Sequence, residues 1–192
     1  MAKILLGHKL GMTQIWNDKG RLVPGTVISA SPNTVVKEKN QTVIAVATSG
    51  KTNRAQAHLA KAVDSKRGIW VKTVPTLETD QGSLDVTQFE VGDAVKVAGV
   101  SKGKGFSGTI KRHNFHRGPV SHGSDNVRRP GSIGAQRPQR VPKGQKMAGR
   151  MGGANLTIRG GKVLAVDAEQ NILIVSGNIP GPRRGKIVVE SQ

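Results

Sequence analysis

Between residues 101 and 153 the chain offers seven Leu, Ile, Val or Phe side chains in 53 positions, with no helical or strand period among them. The same stretch carries 11 of the 25 glycines and 4 of the 9 prolines. So few apolar side chains cannot offset the entropy of ordering the segment by burial. It is too long for an ordinary connection, so it is either functional or disordered. Any core must come from the flanks. Doubled back on itself, such an arm reaches at most roughly 90 Å at the extended rise per residue.

The flanks read as short strands rich in Val, Ile and Thr, at 3–6, 12–16, 22–30, 33–37 and 42–48. Asn17-Asp18-Lys19-Gly20, Ser31-Pro32-Asn33 and Lys39-Asn40-Gln41 break them with turn chemistry. Asn53 to Lys66 reads as a helix with Asn53 as N-cap and Ala55, Leu59, Ala62 and Val63 on one side. Further strands are expected at Ile69 to Val74, Ala94 to Val100 and Ile187 to Val189, with a hairpin of 162–166 and 172–175 around Asp167 to Asn171. Many short strands at close spacing argue for a mainly β chain, a compact antiparallel barrel with a short helical insert. The organisation expected is a first part of the barrel at 1–100 with the insert at about 53–66, an irregular arm at 101–153, and return strands at 154–192.

Charge tells the two regions apart. The chain has 30 Lys and Arg against 12 Asp and Glu, a formal net charge of +18. Residues 101–153 hold 12 of the cations and one acid, Asp125. Such a surplus repels itself unless a polyanion neutralises it. A solvated basic tail is the bland alternative, but those are usually terminal and lysine-rich. Here the segment is internal, seven of its twelve cations are arginine, and Phe106, Phe115 and histidines lie between them. Arginine binds phosphate bidentately and stacks on bases, and aromatics supply stacking surfaces. Ordered RNA contact is the better reading. The expected phosphate contacts are Lys102, Lys104, Lys111, Arg112, Arg117, Arg128, Arg129, Arg137, Arg140, Lys143, Lys146 and Arg150. Phe106, His113, Phe115, His116 and His122 are the candidates for stacking or 2′-hydroxyl contacts. Arg159, Arg183 and Arg184 mark a weaker basic face on the barrel.

Other chemistries find little support. Cysteine is absent, which excludes disulfides and thiolate metal sites. The longest apolar runs fall far short of the roughly 20 residues that span a bilayer, and Met1-Ala2-Lys3-Ile4 leads straight into a strand pattern without a signal-peptide core. A soluble, cytoplasmic protein is expected. Gly103-Lys104-Gly105-Phe106-Ser107-Gly108 matches G-x-G-x-x-G by the letter, but a dinucleotide site needs a helix to begin there, and Thr109 to Arg117 is basic, short and ended by Gly118-Pro119. Ser49-Gly50-Lys51-Thr52 resembles the end of a P-loop, yet Ala45 stands where its leading glycine belongs. His113, His116 and His122 lie among arginines, which disfavours a divalent metal. No carboxylate pair or Ser/His/Asp set suggests catalysis. The expectation is a non-enzyme with no metal and no cofactor.

The order of motifs along the chain resembles a known family. Leu6-Gly7-His8-Lys9-Leu10-Gly11-Met12-Thr13-Gln14-Ile15-Trp16 is similar to the opening of the bacterial-type large-subunit ribosomal protein L-three family. Ser101 to Phe106, Gly108 to Arg112, Ser121-His122-Gly123-Ser124, Arg129 to Gly134, Lys143 to Gly152 and Asn178 to Pro182 follow in the family's order. The resemblance implies a translation-protein-type β-barrel and a long extension that penetrates the rRNA toward the peptidyl-transferase centre. It further implies binding of large-subunit rRNA near its 3′ end, support of early subunit assembly, and contacts with neighbouring large-subunit ribosomal proteins, with no membrane or small-molecule substrate. In some members a glutamine directly after Gly-Ser-Ile-Gly is methylated. Here Ala135 holds that place, and Gln136, the next residue, is the candidate for modification. The stretch up to Val141 is also one residue shorter than the family pattern. The rival readings are a transient ribosome-assembly RNA chaperone and a nucleotide-dependent enzyme using the turn at Gly103.

Overall fold

The computed structural model describes residues 3–17, 19–38, 41–48, 50–51, 53–63, 68–74 and 82–192. In chain order the strands are β1 (Ile4–Trp16), β2 (Leu22–Ser29), β3 (Asn33–Glu38), β4 (Gln41–Ala47), β5 (Ile69–Val74), β6 (Ser83–Leu84), β7 (Ala94–Val100), β8 (Phe106–Ser107), β9 (Gly149–Arg150), β10 (Asn155–Asp167), β11 (Ile172–Ser176) and β12 (Lys186–Ser191). Two short helices, α1 (Ala57–Ala62) and α2 (Thr109–His113), and two 3₁₀ turns, Arg54–Gln56 and Val86–Gln88, complete the set. The chain divides into two compact units, one of residues 1–101 with 155–192 and one of residues 102–154.

In the first unit six strands pair antiparallel in the order β1-β12-β7-β10-β11-β2, and β2 pairs back with β1, so the sheet closes into a barrel. Strand side chains alternate between faces, so every second residue points inward. Leu5, Ile28, Val95, Val97, Val163, Leu173, Val175, Ile187 and Val189 supply that inner layer, joined by Val86 of the second 3₁₀ turn and Phe89 just after it. A full side chain of this kind contributes about 1.5–3 kcal/mol by leaving water.

β1 is buried on both faces where it starts, which explains its unbroken Ile4-Leu5-Leu6. Leu5 faces the barrel core, while Ile4 and Leu6 join Ile44, Val46 and Leu84 in a second cluster. That cluster belongs to a four-stranded sheet, order β5-β4-β3-β6. β4 is sandwiched in turn, because Val43 packs with Leu59 and Ala60 of α1 and with Ile69 in a third cluster. Barrel, sheet and helix therefore form successive layers.

Two polar side chains tie the layers together. Asn33 is fully buried. Its Oδ1 accepts the Leu6 N–H at 3.0 Å, and its Nδ2 donates to the Leu6 carbonyl at 3.2 Å, imitating a strand partner. Lys9 is also buried, and its Nζ donates to the Ile179 carbonyl at 2.7 Å. At the surface, Lys3 Nζ donates to Asp93 Oδ2 at 2.7 Å and the Glu90 N–H donates to the same oxygen at 3.1 Å. The Lys3 hydrogen bond, then that from Glu90, holds the Asp93 carboxyl below its ordinary range.

Several elements depart from the sequence reading. The two runs expected at 3–6 and 12–16 are one strand, β1. Gly7 and Gly11 do not break it: a Cβ at Gly7 would meet Ile28 Cγ2 and the Ser29 carbonyl at 2.8 Å, so glycine is what lets the strands approach. A bulge between Lys9 and Gly11 leaves Leu10 as the extra residue. The helix expected from Asn53 to Lys66 begins as a 3₁₀ turn and its α-helical part ends at Ala62. Asn53 precedes the 3₁₀ turn without a side-chain capping bond. The tighter start shifts the phase, so Ala60 is buried with Leu59, while Ala55 and Ala62 face solvent. Residues 64–66, like Asp18, Lys39, Asn40, Ser49 and Thr52 of the turn and P-loop-like readings, lie outside the described residues. β10 starts seven residues before the expected hairpin, at Asn155.

Candidate nucleic-acid interface

The unit of residues 102–154 is built on a different principle. Ser107 and Thr109 are its buried residues; no hydrophobic side chain in it is buried. Main-chain ties near its two ends hold it instead. β8 pairs with β9, Phe106 opposite Arg150 and Ser107 opposite Gly149. Lys104 N–H donates to the Met151 carbonyl and Met151 N–H to the Gly105 carbonyl, each at 2.9 Å. Gly152, in the left-handed region at φ 72°, lies so close to the Lys102 carbonyl that no Cβ fits.

Just inside that clasp sits α2. The sequence reading has Thr109 to Arg117 as a short, basic piece of an irregular arm; it holds one five-residue helical turn, ended by Asn114 at φ 57°. It brings no dinucleotide site. The strand before it has two residues and pairs antiparallel, whereas the βαβ unit needs a parallel crossover. The helix has another use. Arg112 Nη1 donates to the Met147 carbonyl at 2.8 Å, and His113 Nε2 donates to the same oxygen at 3.0 Å. Two residues nominated for RNA contact thus grip the chain some 35 positions away. His113 also packs its ring against Phe115, centroids 6.1 Å apart.

Beyond this grip the segment is turns. Gly118 N–H donates to the Val127 carbonyl at 3.0 Å and closes a loop carrying His122 and Asp125. A Cβ at Gly118 would collide with the Asn126 carbonyl oxygen, so the loop's neck admits only glycine. Gln139 N–H donates to the Gln136 carbonyl at 3.3 Å, and Gln145 N–H to the Pro142 carbonyl at 3.3 Å.

All twelve nominated cations are exposed: Lys102, Lys104, Lys111, Arg112, Arg117, Arg128, Arg129, Arg137, Arg140, Lys143, Lys146 and Arg150. None is ion-paired among the described residues. Phe106 is 81% exposed. His116, His122 and Gln136 are exposed, and His113 and Phe115 are half-buried. Among the described residues, the side chains of Arg128, Arg129, Arg137 and Arg140 make no hydrogen bond or ion pair that ties this unit together. Unpaired cations on a surface without apolar burial form a field that attracts a polyanion and offers it charge-assisted hydrogen bonds. Of the barrel cations, Arg159, Arg183 and Arg184 are exposed, and Arg183 Nε donates to the Leu10 carbonyl at 3.0 Å. No group of three or more His, Cys, Asp or Glu able to hold a metal occurs among the described residues.

Known proteins place this arrangement. The family model for ribosomal protein L3 matches residues 26–176. The large ribosomal subunit protein uL3 of Bacillus thuringiensis is 45% identical over 204 residues, covering 99% of this chain and 97% of that protein. Those of Bacillus cytotoxicus, at 43% with the same coverage, and Shouchella clausii, at 42% over all of this chain and 98% of its own length, are similar. The chain belongs to the ribosomal protein L3 family. It is a ribosomal protein of the large subunit, from a family of structural components rather than enzymes.

Proposed function

We propose that this protein binds large-subunit rRNA through residues 101–153, with its barrel, of the translation-protein type, as the folded body that the arm serves. The observation that carries the proposal is the set of twelve exposed cations, none ion-paired among the described residues, on a unit with no buried apolar side chain. Lysine and arginine release condensed counterions when they meet phosphates, so binding weakens steeply with salt. Phe106, His116 and His122 offer flat faces to unpaired bases or partners to 2′-hydroxyls. Glycines and prolines let the backbone follow RNA where a helix or sheet would not fit. By the family resemblance the RNA lies near the 3′ end of the large-subunit rRNA, the arm runs toward the peptidyl-transferase centre, binding is an early assembly step, and neighbouring large-subunit proteins contact the barrel. Gln136, exposed, is the residue for which a modification is proposed; a 14 Da increment, roughly one CH₂, on its tryptic peptide would establish it.

A structural constituent and a transient assembly chaperone differ in residence. Large subunits washed in high salt retain the former and lose the latter. Hydrogen exchange on the free protein and on its rRNA complex supplies the second test. The arm's few main-chain ties predict fast exchange when free and strong protection when bound. Equal protection in both states would contradict folding on RNA.

A further inference from the structure

The arm closes twice near its base, and the inner closure is made by side chains rather than by paired strands. The outer one is the β8–β9 pair, with Ser107 opposite Gly149. Inside it, Arg112 Nη1 and His113 Nε2 converge on the Met147 carbonyl at 2.8 and 3.0 Å, from 35 and 34 positions away in the chain. A carbonyl oxygen has two lone pairs, so both bonds form together. α2 supplies the two donors from adjacent positions, and its Arg112 N–H is itself bonded to the Gly108 carbonyl at 2.9 Å.

The returning chain is shaped to admit this grip. A Cβ at Gly149 would stand 2.6 Å from Arg112 Nη1 and 3.3 Å from Arg112 Cζ, so the guanidinium lies against a main-chain position that a side chain would block. Gly149 has no positive φ, so its backbone conformation is open to other residues. What glycine provides at this position is room for Arg112. Nothing about the charge of Arg112 requires that room; its hydrogen bond to Met147 does.

We propose that Arg112 and His113 are positioning residues of the arm: they latch Met147 before RNA arrives, so that the neck is already formed and only the turns beyond it order on the polyanion. This role rests on the reading of residues 101–153 as the rRNA-binding arm, and it takes Arg112 out of the phosphate contacts. A segment held beforehand in its bound geometry loses less freedom on binding, so the latch raises affinity without adding a contact to RNA. Salt separates the two kinds of cation. One that meets phosphate releases counterions and adds about 0.9 to the salt slope, whereas one that holds the chain shifts affinity equally at every salt concentration.

The test uses the full chain, a fragment of large-subunit rRNA titrated across a salt series, and hydrogen exchange read by mass spectrometry on the RNA-free protein. Arg112→Ala should weaken binding roughly tenfold at every salt concentration and leave the slope as it was. Gly149→Ala keeps all twelve cations of the arm and should have the same effect, because the added Cβ pushes the guanidinium off Met147. With the Arg112 side chain gone the added Cβ meets no obstacle, so the double variant should bind no more weakly than Arg112→Ala alone. In the free protein both substitutions should speed exchange in peptides covering 104–112 and 147–151, while 118–140 exchanges fast with or without them.

A slope that falls by about 0.9 in Arg112→Ala, with Gly149→Ala binding as the parent does, would make Arg112 a phosphate contact. That result would overturn the latch and leave the arm's role intact. A double variant weaker than both single ones would show the two substitutions acting on separate features and would also overturn the latch. A parent chain that fails to bind the fragment would overturn the rRNA reading, and with it the latch's role, even if the neck were protected.

Discussion

The barrel and the arm solve the problem of order in opposite ways. In the barrel unit, Leu5, Ile28, Leu173 and Ile187 are wholly removed from water, and the buried Asn33 side chain is held by hydrogen bonds to Leu6. In the arm, nothing larger than Ser107 and Thr109 is buried, and order rests on main-chain hydrogen bonds and a two-pronged grip on Met147. Main-chain hydrogen bonds exposed to water are worth little net. Burial makes the barrel's conformation a property of the chain alone, whereas the proposed function makes the arm's conformation depend on a polyanion. Perturbing one should leave the observable of the other unmoved.

The largest expected effect falls on the arm. Arg128→Ala with Arg129→Ala should weaken binding to an rRNA fragment by roughly 3–6 kcal/mol if each loses charge-assisted contacts, with the salt slope falling by about 2 and the thermal midpoint unchanged. Nitrocellulose binding across a salt series reads both; unchanged affinity would remove these residues from the interface. Next comes the reciprocal perturbation. Leu173→Ala, opening a cavity in the barrel core, should cost about 2–5 kcal/mol in urea unfolding while the salt slope of RNA binding at low temperature stays as it was.

Asn33→Ala should cost about 1–3 kcal/mol by leaving the Leu6 N–H and carbonyl without this partner, and hydrogen exchange should localise the loss to the start of β1. The smallest effect is pH-linked. The Asp93 carboxyl is held below its ordinary 3.8, so its contribution is fully present above that value and disappears as pH falls through the lowered one. The stability difference between the parent and Asp93→Asn should be constant near neutrality and close in acid. A difference that grew on acidification would contradict the Lys3 pairing.

Much of the barrel was legible because its residues obey one period. β7, β11 and β12 alternate cleanly, and Val95, Val97, Leu173, Val175, Ile187 and Val189 fall inward as that alternation requires. β1 was not legible as one strand, since Gly7 and Gly11 look like breakers until a close neighbour and a bulge are seen. Val86, in a single 3₁₀ turn, and Phe89, just after it, were missed because so short a segment has no period to detect. In the arm, charge and composition were readable as sums, so the nominated cations are all exposed. Their division of labour was not. That Arg112 and His113 share one carbonyl of Met147 depends on a backbone atom, and backbone atoms leave no trace in residue identity.

The most direct test of this contrast is RNA crosslinking with peptide mapping on purified large subunits, asking where residues 101–153 land. Crosslinks from Lys102 through Arg150 to large-subunit rRNA deep near the peptidyl-transferase region are the predicted result. Crosslinks confined to surface RNA, or arm peptides without any in mature subunits, would contradict the account and return the arm to a solvated tail.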